Sequence, residues 1–285
     1  MDPAPPELIR DDLAPGDAPS IDFDWSGLGI TRIRRPDHPL FPAAYQRLWD
    51  EFGPRGEMEK RSVIEARLGW HPSRPVDHHA LLYEMVVVER RGEILALRDH
   101  TVIVRSPPHR TDHPGGIIVH LSHLLVESPM RGSGLSGWMR AFPIQTAREC
   151  GALAAEPARD AITLVAEMEH PDGITPGVMM RLRSYERAGF GKIDPDQVRY
   201  YQPDFRAPAT IDMTAVRPLP LALVIRRVGR EADRWISGAE VREIVTALYA
   251  MFGVHVRADH MAPLWALLDH FPGPGERVGL RKPLE

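Results

Sequence analysis

Hydrophobic positions gather most densely in two runs rich in β-branched residues, Leu82 to Glu89 and Ile94 to Arg105. They flank Arg90-Arg91-Gly92-Glu93, a spacing that predicts a hairpin turned at the glycine. Ahead of it, Ile30-Thr31-Arg32-Ile33-Arg34 alternates as a short strand, while Tyr45, Leu48, Trp49 and Phe52 recur at helical spacing. A strand therefore leads into one or two helices before the hairpin. Gly116 to Glu127 reads as the next strand, followed by Arg131-Gly132-Ser133-Gly134 and a helix-like stretch to Cys150-Gly151. Ala161 to Met168 reads as a buried strand, and Thr175-Pro176 supplies a cap and a first-turn proline for a helix ending at Gly189. Strand, turn, helix, strand, helix in that order implies a parallel pair. Val198 to Gln202 and Leu219 to Val228 read as strands that close the sheet.

The last part is predicted helical. Ser237 and Glu240 form a capping box, Val241, Ile244, Val245, Leu248, Tyr249 and Phe252 make one apolar stripe, and a second helix is expected from about Asp259 to His270. That stripe must be covered, by the sheet or by a second subunit, so a homodimer is one expectation. Residues 1–28, crowded with Pro, Asp and Gly and without periodicity, read as a flexible tail. The chain thus divides into a tail (1–28), an α+β domain with a mixed central sheet flanked by helices (29–229) and a C-terminal helical extension (230–285).

Composition narrows the function classes. With 43% hydrophobic and 26% charged residues, the 285-residue chain is neither a disordered polar chain nor a rod. A net charge of -4 gives no bulk attraction for nucleic acid or an anionic membrane, and no run reaches the length of a membrane span. The single cysteine, Cys150, allows neither an internal disulfide nor a cysteine-ligated zinc site and suits a reducing compartment. The acidic, proline-rich start has no basic region leading into an apolar stretch. A cytoplasmic location is the expectation.

The segment that carries chemistry follows the strand ending at Val126. Glycines in Arg131-Gly132-Ser133-Gly134-Leu135-Ser136 let backbone amides approach an anion, and the free N–H groups and dipole of a helix start favour negative charge there. This stretch resembles the acyl-CoA-binding motif of the GNAT superfamily of N-acyltransferases, Arg/Gln-x-x-Gly-x-Gly/Ala, with Arg131, Gly134 and Ser136 in the three places. Tyr185-Glu186-Arg187-Ala188-Gly189-Phe190 is similar to the Tyr-Glu-x-x-Gly-Phe signature of the family's fourth helix. The order of elements fits over roughly residues 29–229. Three departures stand out: Ser136 replaces the usual Gly or Ala, Val178 stands where many relatives carry Asn, and Pro143 is expected to kink or break the helix after about two turns.

The resemblance implies an acetyl-CoA or other acyl-CoA cosubstrate. Its pyrophosphate would rest on the amides of Arg131, Gly132, Ser133, Gly134, Leu135 and Ser136, and its pantetheine would pair with the backbone near Val126 and Ser128. It further implies Tyr185 as the acid for the leaving thiolate, a role open to a phenol of pKa about 10. Tyr185 also completes a stripe with Val178 and Leu182 that packing alone explains. His120 is the candidate base: His120-Leu121-Ser122 resembles the His-x-His of arylalkylamine N-acyltransferases, and regular alternation would put residues 120, 122, 124 and 126 on one face. The same alternation sends His120 and His123 to opposite faces, which argues against a metal. Glu167 and Glu169 share a face of the next strand and could hold a cationic amine or serve as base, or lie at a solvated strand end.

The expected activity is transfer of an acyl group, most simply acetyl, to a primary amine of a small molecule or peptide by direct attack. A non-catalytic CoA-binding or sensing module is the alternative. His78, His79, His109 and His113 lack ligand spacing, and Cys150 reads as buried filler.

Overall fold

A computed structural model describes residues 8–105, 116–154 and 161–285. Met1 to Glu7, and His109 and His113, lie outside the described residues. Ten strands form one sheet: β1 (Gly29–Ile33), β2 (His79–Arg90), β3 (Glu93–Arg105), β4 (Ile117–Val126), β5 (Ile162–Met168), β6 (Gly191–Ile193), β7 (Tyr200–Gln202), β8 (Leu219–Arg227), β9 (Trp235–Ser237) and β10 (Arg277–Arg281). Their order is β1-β2-β3-β4-β5-β8-β6-β10-β9, with β7 on β8. Every pairing is antiparallel except β4 with β5. The helices are α1 (Phe41–Phe52), α2 (Arg61–Arg67), α3 (Leu135–Leu153), α4 (Pro176–Arg187), α5 (Pro208–Thr214), α6 (Gly238–Gly253) and α7 (Ala258–Leu267). The mixed sheet flanked by helices is the α+β class expected.

Because strand side chains alternate, each long strand feeds two cores. Along β2, Tyr83, Met85 and Val87 pack against α1 and α2, whereas Ala80 and Leu82 pack toward α3 and α4. Leu81, Ile103, Ile118 and Val165 extend the first face beneath α6 and α7. The stripe from Val241 to Phe252 is thus covered by the chain's own sheet. Val241, Val245 and Leu248 are 0% exposed, and such burial contributes about 1.5–3 kcal/mol per large aliphatic side chain. Half of the capping box is present: Glu240 donates its backbone N–H to Ser237 Oγ at 3.1 Å, while its carboxylate accepts from Arg230 at 3.2 Å.

Three expectations are corrected. The C-terminal part is not purely helical, because β9 and β10 extend the sheet from β6 and α6 shares its core. Pro143 does not break α3, which runs from Leu135 to Leu153 with Met139, Phe142 and Ile144 all buried around the proline. Tertiary packing there outweighs one lost helical hydrogen bond. Residues 8–28 do not form a free tail: they run over α3 in short 3-10 turns, Arg10–Asp12 and Pro15–Asp22. Their anchors are both apolar and charged: Trp25 packs edge-on against Trp138 of α3 at 4.7 Å. Arg148 grips Asp12 at 2.6 and 2.7 Å, Arg140 grips Asp17 at 2.6 and 3.0 Å, and Arg226 donates to the Asp12 carbonyl at 2.7 Å.

Candidate active site

The parallel pair opens like a fork. β4 and β5 pair only over Ile117–His120 and Ile162–Val165, after which β4 continues to Val126 along β3 and β5 continues to Met168 along β8. A gap therefore opens between strands that are each still held on their far side. The Glu127 N–H points to Leu95 of β3 at 2.9 Å, so the Val126 carbonyl on the other side of that peptide faces the gap. There it accepts from Arg131 Nε at 3.1 Å.

A β-bulge sits at the fork. The β3–β4 register jumps from Thr101↔His120 to Asp99↔His123, leaving Leu121 and Ser122 opposite His100 alone. The extra residue inverts the alternation beyond it. His120 meets Phe252 of α6 and His123 meets Phe52 of α1, so both rings lie on the same face, contrary to the expectation from regular spacing. Among the described residues, no group of three or more His, Cys, Asp or Glu side chains could hold a metal ion.

On that face two histidine–carboxylate pairs are buried. His120 Nε2 lies 2.9 Å from Glu167 Oε2, and Tyr200 donates its hydroxyl to Glu167 Oε1 at 2.6 Å. His120 Nδ1 lies 3.2 Å from Ser122 Oγ. His123 Nδ1 lies 2.9 Å from Asp99 Oδ1, and Tyr83 donates to Asp99 Oδ2 at 2.8 Å. Burial opposes a charge on His123, yet the Asp99 carboxylate and the Glu57 carbonyl outweigh it and hold its pKa above the ordinary histidine value. Asp99 is correspondingly held low, its burial overcome by His123 and the Tyr83 hydroxyl. Burial and Glu167 push the Tyr200 phenol well up, so it stays a donor. Glu59, pushed up by burial, pairs with Arg67 beside this network. Glu169, grouped with Glu167 in the sequence, bonds instead to Arg181 of α4.

Tyr185 lies on the opposite face, in the core that α4 shares with Leu121 and Ala166. Gly189, with φ +77°, takes the left-handed conformation that ends α4 and lets Phe190 donate its N–H to the Tyr185 carbonyl at 3.1 Å. The Phe190 ring then packs edge-on against Tyr185 at 4.8 Å. The Tyr185 hydroxyl accepts from Arg98 Nη2 at 3.3 Å. Arg98 is completely buried, and its Nε and Nη1 have no partner among the described residues. Arg140, held by Asp17, lies 5.8 Å over the Tyr185 ring.

The turn between β4 and α3 has the form the glycines predict. Gly132 and Gly134 have φ of +80° and +96°, and Arg131, Gly132 and Ser133 are exposed. The amides of Gly132, Gly134 and Ser136 donate to nothing among the described residues, whereas Leu135 N–H donates to Ser133 Oγ at 3.3 Å and Arg131 N–H to the Ser128 carbonyl at 3.2 Å. On its inner side the corner is lined by the chain itself. Ser20 donates to the Gly134 carbonyl at 2.7 Å, and Asp17 and Ser20 pack so closely on Gly137 that no larger residue fits there.

Sequence reading missed Asp99, Tyr83, Tyr200, Arg98 and the Asp17–Arg140 pair. One local signal existed: Arg98-Asp99-His100-Thr101 interrupts a β-branched strand with four polar residues, all completely or almost completely buried. Such residues in a central strand need partners.

No protein-family model matches the chain, and no curated protein matches it. Among solved structures, it is similar to a protein described as an acetyltransferase of the GNAT family from Desulfovibrio desulfuricans, 17% identical over 70% of this chain and 99% of that chain, with a TM-score of 0.39. It is similar to an acyl-CoA N-acyltransferase from Pseudomonas aeruginosa, 17% identical over 70% and 99% of the two chains, with a TM-score of 0.36. A third similarity is to NAA60 from Arabidopsis thaliana in complex with acetyl-CoA, 11% identical over 71% and 99%, with a TM-score of 0.38. Among the described residues, no helix is long and apolar enough to cross a membrane.

Proposed function

We propose that this protein is an N-acyltransferase that moves an acyl group, most simply acetyl, from acyl-CoA to a primary amine. The observation that carries the reading is the fork: a parallel pair that stops pairing at His120 and Val165, with unpartnered glycine-turn amides at its mouth. An anion such as the CoA pyrophosphate suits the amides of Gly132, Gly134 and Ser136 at the start of α3. The open edge of β4 at Val126, with Ser128 beyond it, suits the amide-bearing pantetheine arm, which pairs as a strand would.

The thioester would then lie at the bulge, between a donor face carrying Tyr185 and an acceptor face carrying His120. Direct attack of a neutral amine forms the C–N bond and a tetrahedral oxyanion, and collapse breaks the C–S bond. His120 takes up the amine proton while Glu167, hydrogen-bonded to Tyr200, stabilises the imidazolium. Glu167 thus serves the base rather than the substrate's charge, while Glu169 pairs with Arg181. Tyr185 protonates the departing thiolate, its hydroxyl oxygen held by Arg98 Nη2.

A CoA-binding module without turnover is the second reading. The observation favouring it is the segment Pro15–Asp22 laid over α3 from Gly134 to Arg140. Calorimetry with acetyl-CoA, paired with a thiol-release screen over small amines, amino acids and peptides, separates the two. Binding with turnover supports the enzyme, binding without turnover the module, and no binding ends both.

A further inference from the structure

We infer that Ser122 is the group that receives the proton of the attacking amine and relays it to His120. This deepens the acyltransferase reading and rests on it. His120 is a poor direct acceptor for a substrate proton, because its side chain is only 3% exposed. Phe252 closes one side of the ring edge-on at 5.5 Å, and Glu167 and Ser122 occupy its two nitrogens. The half-buried member of this chain is Ser122, at the bulge where β4 parts from β5.

The direction of each hydrogen bond follows from chemistry. Glu167 already accepts the Tyr200 hydroxyl on Oε1, and as a carboxylate it can only accept at Oε2, so the His120 Nε2 carries the proton. Nδ1 is then a lone pair, and Ser122 Oγ–H is the donor to it. The remaining lone pairs of Ser122 Oγ are left for an incoming N–H. Ser122 stands at the bulge itself, sharing with Leu121 the place opposite His100.

The step balances. As the amine nitrogen bonds to the thioester carbon, its proton passes to Ser122 Oγ, and the proton already on Oγ passes to His120 Nδ1. Ser122 ends neutral, and His120 ends as an imidazolium held against the Glu167 carboxylate.

The test compares the full-length parent with Ser122→Ala and Ser122→Thr. With an amine that the parent acetylates, Ser122→Ala is expected to lower kcat on the order of 10²-fold with an unchanged KM for acetyl-CoA. Ser122→Thr, which keeps the hydroxyl, restores most of the rate. In mixed light and heavy water the parent shows two protons in flight and Ser122→Ala one. Parent-like turnover by Ser122→Ala overturns the proposal, as does an acyl group found on Ser122 after acid quench, which would make it a nucleophile. A readout independent of turnover is the ¹⁵N spectrum of the His120 ring: protonation at Nε2 supports the relay, and protonation at Nδ1 overturns it whatever the acceptor. Failure of acetyl-CoA to bind the parent in calorimetry ends the acyltransferase reading itself, a result distinct from each of these.

Discussion

His120 and His123 face the same side of the sheet although they stand three positions apart in one strand. Their shared face comes from Leu121 and Ser122 standing together opposite His100. Each ring then meets a different acid, Glu167 from the neighbouring parallel strand and Asp99 from the antiparallel one. The first pair opens on the fork through Ser122. The second is closed off by Phe52 and the Glu57 carbonyl and acts as a buttress for the strand.

That buttress gives stability a pH dependence. The folded-state pKa of His123 is raised, so the pair's contribution is fully present below the unfolded value of about 6.5 and is lost as pH rises through the folded value. Asp99→Asn removes the carboxylate that raises it. The expected result is an unfolding-midpoint difference between parent and variant that is large at mildly acid pH and shrinks on the alkaline side. A difference that grows with alkalinity would contradict the pairing.

His255 has the opposite sign. Its ring stacks on Trp70 at 5.7 Å with Nε2 buried and unpartnered, and burial, aided by Arg67, holds its pKa down to about 4. Between about 6.5 and about 4 the unfolded chain takes up a proton that the folded chain refuses, so stability falls as pH falls through that window. His255→Phe keeps the stacking and removes the titration. Its thermal midpoint is expected to decline less than the parent's over the same acid range.

Asp17 anchors the N-terminal segment. Its side chain and that of Arg140 are 8% and 6% exposed, so Asp17→Ala strands a buried guanidinium and is expected to cost about 3–5 kcal/mol in denaturant unfolding. Adding Arg140→Met removes the stranded charge and is expected to recover part of the loss. Equal stability of parent and Asp17→Ala would show that the segment is not held there.

Tyr185→Phe separates the proposed acid role from packing. The ring contacts to Phe190 survive, while the hydroxyl that meets Arg98 is gone. Turnover is expected to fall by about 10²-fold or more with acetyl-CoA affinity little changed. Parent-like turnover measured by thiol release would leave Tyr185 a core residue alone.

Local pattern determined much of this molecule. Runs rich in β-branched residues at Leu82 to Glu89 and Ile94 to Arg105, on either side of Gly92, marked the hairpin, spacing from Val241 to Phe252 marked the face that α6 buries, and Ser237 with Glu240 marked where that helix starts. These are legible because each rests on neighbours a few residues apart, whose conformational preferences act before any distant contact forms. The glycines after Val126 belong to the same class, since a positive φ is a property of the residue in its turn.

Tertiary structure decided which side chains meet. His120 and Glu167 are brought together by a parallel pairing, Asp17 and Arg140 by an ion pair across 123 positions, and Arg98 and Tyr185 by the packing of α4 on the sheet. A single inserted residue in β4 inverted the face of everything after it. Alternation encodes the face of a side chain only while pairing is regular, and where a strand bulges the register between strands, not the order of residues, sets the geometry.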